Sequence, residues 1–256
     1  MISPSETIHV RSEGRTVWIT LDRPPLNILD TTMMRALDGA IEQALPHSDF
    51  LVFQGAGQKG FSAGAEVADH VPERVGEMLQ AFHAVFRRLA RADCITIAAV
   101  HGHCLGGDME LATLCDYMVA TESAKFGQPE IKLGCFPPIA MVTFPPLIGL
   151  RAALDLILSG RIISAQEARE LGVVSRLVGD SKLSEVIAAL LEELRGLSPA
   201  VLRLAKRTIW KLHLDDFERQ LSEVERIYLS QLMQTHDARE GIRAFLEKRA
   251  PAWEGR

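Results

Sequence analysis

The sequence predicts an α/β protein, with parallel strands alternating with helices through about the first two-thirds and a helical remainder. Three observations carry that expectation. Short runs rich in β-branched residues alternate with stretches whose apolar residues recur at helical spacing. Two of the runs, "FLVFQG" and "CITIAAV", are apolar almost without a break, as buried strands are. From Ser164 the segments take on a helical pattern.

In chain order, "TIHV" and "RTVWITLD" read as a hairpin separated by "RSEG", and Pro24-Pro25 ends the second strand. A helix starts at Asp30 or Thr31, with Met34, Leu37, Ile41 and Leu45 on one face. "FLVFQG" is a buried strand. Met78, Leu79, Phe82, Val85, Phe86 and Leu89 mark an amphipathic helix from Val75. "CITIAAV" is the next strand, "DMELATLCD" a helix after Gly106-Gly107, and "YMVA" a third strand. Beyond Ser164, "SAQEARELGVV", "KLSEVIAALLEELRGL", "SPAVLRLAKRTIWKL", "DFERQLSEVERIYLSQLM" and "HDAREGIRAFLEKR" are helical in pattern, several opening with Ser or Asp as N-cap. Leu214 to Met233 is amphipathic enough to pack on a neighbour, within the chain or across a subunit interface. No linker, low-complexity segment or internal repeat interrupts the chain, so the helical part reads as a lid or assembly element of one unit.

A chain of 256 residues can bury a substantial core without disulfides or metal. Its net charge of −5 disfavours nucleic-acid binding, which needs a basic face. Cys94, Cys104, Cys115 and Cys135 form no C-x-x-C pair and fall largely in apolar runs, so buried reduced thiols are expected. "MISPSETIHV" lacks the basic flank and apolar block of a signal peptide, and no apolar run approaches the ~20 residues of a membrane span. A cytoplasmic protein with no membrane or nucleic-acid partner is the expectation.

Some motifs mislead. "GAGQKG", Gly55 to Gly60, matches a dinucleotide fingerprint, but "FSAG" stands where a helix should begin and no acidic residue closes a second strand. A glycine-rich turn accounts for it better. His101 and His103 have no third ligand at suitable spacing and read as structural, so no metal is expected. No G-x-S-x-G elbow or Cys/His nucleophile pattern is present.

The chemistry concentrates elsewhere. Gly106-Gly107 joins a strand to a helix, where unpaired N–H groups point outward and glycine lets a ligand oxygen approach the backbone. "FSAGAEV" supplies a second small-residue turn, with the Ala65 N–H beside Gly64. Two such donors can hold an oxyanion. Glu110 lies on the first turn after Gly107, and Glu130 follows in "GQPEI". Alone, each feature is an ordinary turn or a surface glutamate. Combined in one dry pocket, the carboxylates would split their pKa values into an acid and a base.

These residues carry a resemblance. "FSAGAEV", "AAVHGHCLGGDMELATLCDYMVATESAKFGQPEIKLG", "LILSGRIISAQEARELGVVSRLV" and "DAREGIRAFLEKRAPAW" resemble the crotonase, or enoyl-CoA hydratase/isomerase, superfamily nearly end to end. The resemblance implies a spiral of ββα units over residues 1–195. A helical C-terminal region, residues 196–256, would belong to the same functional unit and mediate assembly as a homotrimer or dimer of trimers. It places the two oxyanion-hole amides on Ala65 and Gly107 and the catalytic glutamates on Glu110 and Glu130. The implied substrates are acyl-CoA thioesters that form an enolate, with no cofactor beyond the CoA of the substrate. Glu110 would position and deprotonate water, and Glu130 would help hold it and protonate carbon. The alternatives within the resemblance are an isomerase using chiefly Glu130, a non-catalytic acyl-CoA-binding scaffold, and an RNA-binding member.

Three departures qualify the pattern. Asp108 stands where common hydratases have a third glycine, and Glu66 where they have Asp. "CFPPIAMVTFPPLIG" replaces a glycine-rich loop, so Pro138, Ile139, Ala140 and Met141 stiffen a segment expected to line the acyl pocket. "GQPEIKLGCFPP" resembles the branch that hydrates cyclic dienoyl-CoA thioesters in anaerobic aromatic degradation, which suggests cyclohexa-1,5-diene-1-carbonyl-CoA. Arg23, Lys59, Lys248 and Arg249 are the candidate cations for the CoA phosphates.

Overall fold

A computed structural model describes residues 6–256. The expected hairpin forms from β1 (Ile8–Glu13) and β2 (Thr16–Leu21), with part of "RSEG" drawn into the first strand. Asp30 caps α1 (Thr31–Ala44) by accepting the Met33 N–H at 2.8 Å, which satisfies one of the helix's free donors. Then follow β3 (Phe50–Gly55), β4 (Gly60–Ser62), α2 (Val75–Ala90), β5 (Ile95–Val100), β6 (His103–Leu105), α3 (Gly107–Leu114), β7 (Tyr117–Thr121) and β8 (Lys125–Gly127).

This is one strand–strand–helix pattern repeated. The first strand of each unit joins a six-stranded sheet of order β1-β2-β3-β5-β7-β10, where β10 is Arg176–Val178. The second strand of the first unit, β2, stays in that sheet, whereas those of the units beginning at β3, β5 and β7 enter a four-stranded sheet of order β4-β6-β8-β9, where β9 is Ile162–Ser164. From β2 onward the larger sheet is parallel, because a helix carries the chain back between successive strands.

Both faces of that sheet are covered, which explains the unbroken apolar runs. Leu51 and Phe53 face the core shared with α1 and α2. Phe50, Val52, Ile95, Ile97 and Val119 face Ile187, Leu190, Leu191 and Leu194 of α7 (Leu183–Arg195).

Several expectations need correction. The second sheet was not anticipated, because strands of three residues are too short to show a period of two. The chain beyond Ser164 is not wholly helical: α6 (Ala165–Glu170) is capped by Ser164, but β10 follows it. The segments read as two helices on either side of Leu214 are one, α8 (Pro199–Ser230). No glycine or proline separates them, and Asp216 caps nothing but pairs with Arg219 at 2.7 Å, one turn along the same helix. The stiffened loop is also a helix, α4 (Pro138–Ile148), with Pro138 at the first position, where no N–H is needed. α5 (Leu150–Ser159) and α9 (His236–Leu246) complete the chain.

The long helix α8 is fastened to the sheet by a buried cation. Lys206 of α8 is 6% exposed, and its Nζ lies 2.6 Å from Asp116 and 2.7 Å from the Cys94 carbonyl. All four cysteines are free thiols, Cys115 half-buried and the others buried. Among the described residues, no helix is long and apolar enough to cross a membrane.

Candidate active site

The two glycine turns lie side by side because β4 and β6 are parallel neighbours. Gly64 takes φ +106°, which favours glycine, and a β-carbon there would stand 3.3 Å from the Leu105 carbonyl, a tight fit between the two turns. The Leu29 N–H donates to the Gly64 carbonyl at 3.0 Å, and the Glu66 N–H to the Leu29 carbonyl at 2.9 Å. Those bonds belong to a parallel bridge centred on Ala65, which turns the Ala65 N–H to the opposite side. Gly107 opens α3, where first-turn amides have no acceptor within the helix. Among the described residues, neither the Ala65 nor the Gly107 N–H has a protein acceptor. The Gly106 N–H is occupied, donating to Gly127 at 2.9 Å.

Glu110 is one turn into α3 and 1% exposed. Its Oε1 accepts the Ala140 N–H at 2.6 Å. Ala140 is in the first turn of α4, so this carboxylate faces the positive end of a second helix. Burial and the neighbouring Glu130 push the Glu110 carboxyl up, while the Ala140 and Ile139 amides pull it back toward the charged form. Glu130 sits in the short turn Pro129–Leu133. Its Oε1 is 2.8 Å from where a Gly106 β-carbon would be, so Gly106, at φ +56°, admits the carboxylate beside the Gly107 turn. Buried Gln128, with its amide nitrogen toward Glu130, donates to both carboxylate oxygens at 3.1 Å. Burial raises Glu130 to about 8. Two carboxyls so close do not both ionise readily, and such a pair tends to share one proton.

Drawing the Glu130 carboxyl away from water costs stability, and the sign is fixed. Glu130 has a folded pKa above its unfolded value of 4.5, so its stabilising contribution is full below that value and is lost as pH rises toward about 8. Glu130→Gln is therefore expected to raise Tm by about 2–4 °C at mildly alkaline pH, with the difference vanishing in acid. Thermal melts of both proteins at the two pH values check this; a gain of equal size in acid would contradict it.

Of the residues expected from sequence, Ala65, Gly107, Glu110 and Glu130 are brought together. Pro138 and Ile139 are buried and Met141 is half-buried. Their segment meets the site through backbone N–H groups aimed at Glu110, rather than as a loop. Two candidate CoA cations are already engaged: Arg23 pairs with Asp30 at 3.2 Å and Glu66 at 3.4 Å, and Arg249 with Glu240 and Glu247. Lys59 and Lys248 are exposed. "GAGQKG" is a turn stapled by the Asn27 amide, which donates to the Ala56 and Gly60 carbonyls, and His101 bonds to the Gly57 carbonyl.

Other contributors had no sequence signal of their own. Phe82 of α2 lies against the Gly107 α-carbon, and a β-carbon there would be 2.5 Å from the ring. Tyr228 of α8 is 1% exposed, with its ring edge-on to Phe136 at 5.0 Å. Its phenol is pushed up by burial and then by the neighbouring Cys135, with smaller effects from Glu130 and Glu110. A single tyrosine on a long amphipathic helix looks like any core residue.

Residues 12–256 match the family described as enoyl-CoA hydratase/isomerase. The chain is 35% identical over 251 residues to a cyclohexa-1,5-dienecarbonyl-CoA hydratase of Thauera aromatica, covering 97% of this chain and 96% of that protein. It is 37% identical over 254 residues to a probable enoyl-CoA hydratase of Mycobacterium bovis, covering 96% and 97%. The crystal structure of a carnitinyl-CoA hydratase from Mycobacterium avium superposes with a TM-score of 0.83 at 31% identity, covering 99% and 100%. With adjoining glycine turns, buried Glu110 facing Glu130 and end-to-end likeness in agreement, the chain belongs to the enoyl-CoA hydratase/isomerase family.

Proposed function

We propose that the protein is an acyl-CoA hydratase that adds water across a double bond conjugated to a CoA thioester, with cyclohexa-1,5-diene-1-carbonyl-CoA as its substrate. The observation that carries this is buried Glu110 facing half-buried Glu130, beside two amides that have no protein acceptor among the described residues. In this scheme the Ala65 and Gly107 N–H groups hold the thioester oxygen as it becomes an enolate. The amides of Ala140 and Ile139 oppose the upward shift that burial and Glu130 impose on Glu110, and in this scheme Glu110 takes the role of base and Glu130 that of acid. Glu110 removes a proton from water as the water oxygen bonds to the alkene carbon, and the displaced π electrons move onto the thioester oxygen. As the enolate collapses, Glu130 gives its proton to carbon, and transfer between the two carboxyls resets the pair. Support for the cyclic substrate comes from "GQPEIKLGCFPP" and from the likeness to the Thauera aromatica protein.

Turnover of cyclohexa-1,5-diene-1-carbonyl-CoA and of crotonyl-CoA in heavy-oxygen water, read by mass, tests both levels. Labelled product from either thioester supports a hydratase, and preference for the cyclic one supports the substrate. Unlabelled product with a moved double bond would show an isomerase instead.

We also infer a homotrimer or dimer of trimers. Leu150, Leu154 and Leu158 recur every four residues on α5 at 63%, 45% and 62% exposure, an apolar stripe suited to a subunit contact. Light scattering is expected to give a mass that is a multiple of three chains; a monomer at micromolar concentration would refute it.

A further inference from the structure

The two glycine turns are joined by Ser62 and Asp108, and the hydrogens between them can be counted. Ser62 Oγ lies 2.7 Å from the Asn27 carbonyl oxygen and 2.5 Å from Asp108 Oδ2, and it accepts the Gly64 N–H at 3.3 Å. Serine has one hydroxyl proton, and a carbonyl can only accept. If that proton serves Asn27, the short Ser62–Asp108 contact needs a second proton, which only Asp108 can supply. If it serves Asp108 instead, the Asn27 and Ser62 oxygens face each other at 2.7 Å with nothing between them. The first arrangement satisfies both contacts.

The surroundings of Asp108 agree. It is 1% exposed, and its Oδ1 has no partner among the described residues. Among the described residues, no cation pairs with it. The titratable groups that face it are Glu110 on its own helix and Cys104 on β6, so neither would stabilise a negative charge. Burial raises it to about 7, against the Ser62 hydroxyl and the Gly64 N–H, which favour its charged form.

Resting on Ala65 and Gly107 as the oxyanion hole, we propose that Asp108 is a neutral carboxylic acid that donates its proton to Ser62 and positions the two amides relative to each other. Asp108 directly follows Gly107, and Ser62 stands three residues before Ala65. The bond between them is therefore a brace across the hole, at the position where common hydratases carry a third glycine. Ionisation of Asp108 would draw the Ser62 proton to the carboxylate, cost the Ser62–Asn27 bond that anchors the brace, and set a negative charge beside the developing enolate.

Difference infrared spectra of the full-length chain test the protonation state without reference to turnover. The parent is expected to show a carboxylic-acid C=O band at neutral pH that Asp108→Asn lacks and that fades as pH rises. Absence of that band would overturn the proposal even in a fully active enzyme, and the same spectra decide it if no acyl-CoA is turned over and the assigned function fails. In kinetics with cyclohexa-1,5-diene-1-carbonyl-CoA, Ser62→Ala and Asp108→Ala are expected to lower kcat roughly ten- to a hundredfold, with less change in KM. Asp108→Asn, whose amide can still donate to Ser62, should recover most of that loss and move the alkaline limb of the kcat/KM profile to higher pH. Equal losses in the Ala and Asn variants, or an unmoved alkaline limb, would count against the brace.

Discussion

Glu110→Gln and Glu130→Gln are each expected to lower kcat by roughly a hundred- to ten-thousandfold, while KM for the thioester changes little. Each substitution keeps the size and burial of the side chain and removes only its ability to take or give a proton. Glu110 is buried and Glu130 half-buried, and no freely moving solvent group replaces them at full efficiency. The losses should also be non-additive. With one shared proton, the double variant is expected to be scarcely worse than either single one. Steady-state kinetics on the three proteins, with circular dichroism to confirm folding, measure this. Near-normal activity in both single variants would remove the two-carboxylate mechanism.

Gly107→Ala is expected to reduce kcat about a hundred- to a thousandfold, on the scale of losing one oxyanion donor. The added methyl would stand 2.5 Å from Phe82 Cζ and 3.0 Å from Cε1, contacts too short to persist. Phe82 is held in turn by Phe86, edge-on at 4.7 Å, so the backbone of the turn must yield and the amide is displaced. Pairing the change with Phe82→Leu makes room for the methyl and should restore part of the rate. A double variant no faster than Gly107→Ala would show that the loss has another origin than displacement by the ring.

Much of the fold was legible because the signals were local. Asp30 before an amphipathic run marked a helix start, and the unbroken apolar runs at 50–55 and 94–100 marked strands covered on both faces. The second sheet was hidden because its strands are three residues long and are defined by neighbours distant in sequence. α4 was hidden by its composition: four prolines in "CFPPIAMVTFPPLIG" suggest a stiff loop, yet Pro137 precedes the helix, Pro138 opens it, and Pro145 and Pro146 fall in its last turn.

The candidate site divides in the same way. Ala65, Gly107, Glu110 and Glu130 could be placed from sequence because their motifs carry a family resemblance. The neighbours that tune them could not. Gly106 matters for its closeness to Glu130, Phe82 for its contact with Gly107, and the Ala140 amide for its bond to Glu110. Each is a tertiary pairing, and nothing at any one of those positions announces it.

The central claim is that the Ala65 and Gly107 amides polarise a thioester carbonyl, and the most direct measurement is isotope-edited vibrational spectroscopy of a bound enoyl-CoA labelled at that carbon. The carbonyl stretch is expected to fall on binding to the parent and to fall much less in Gly107→Ala. An unshifted stretch in the parent, with the ligand shown to be bound, would contradict the account.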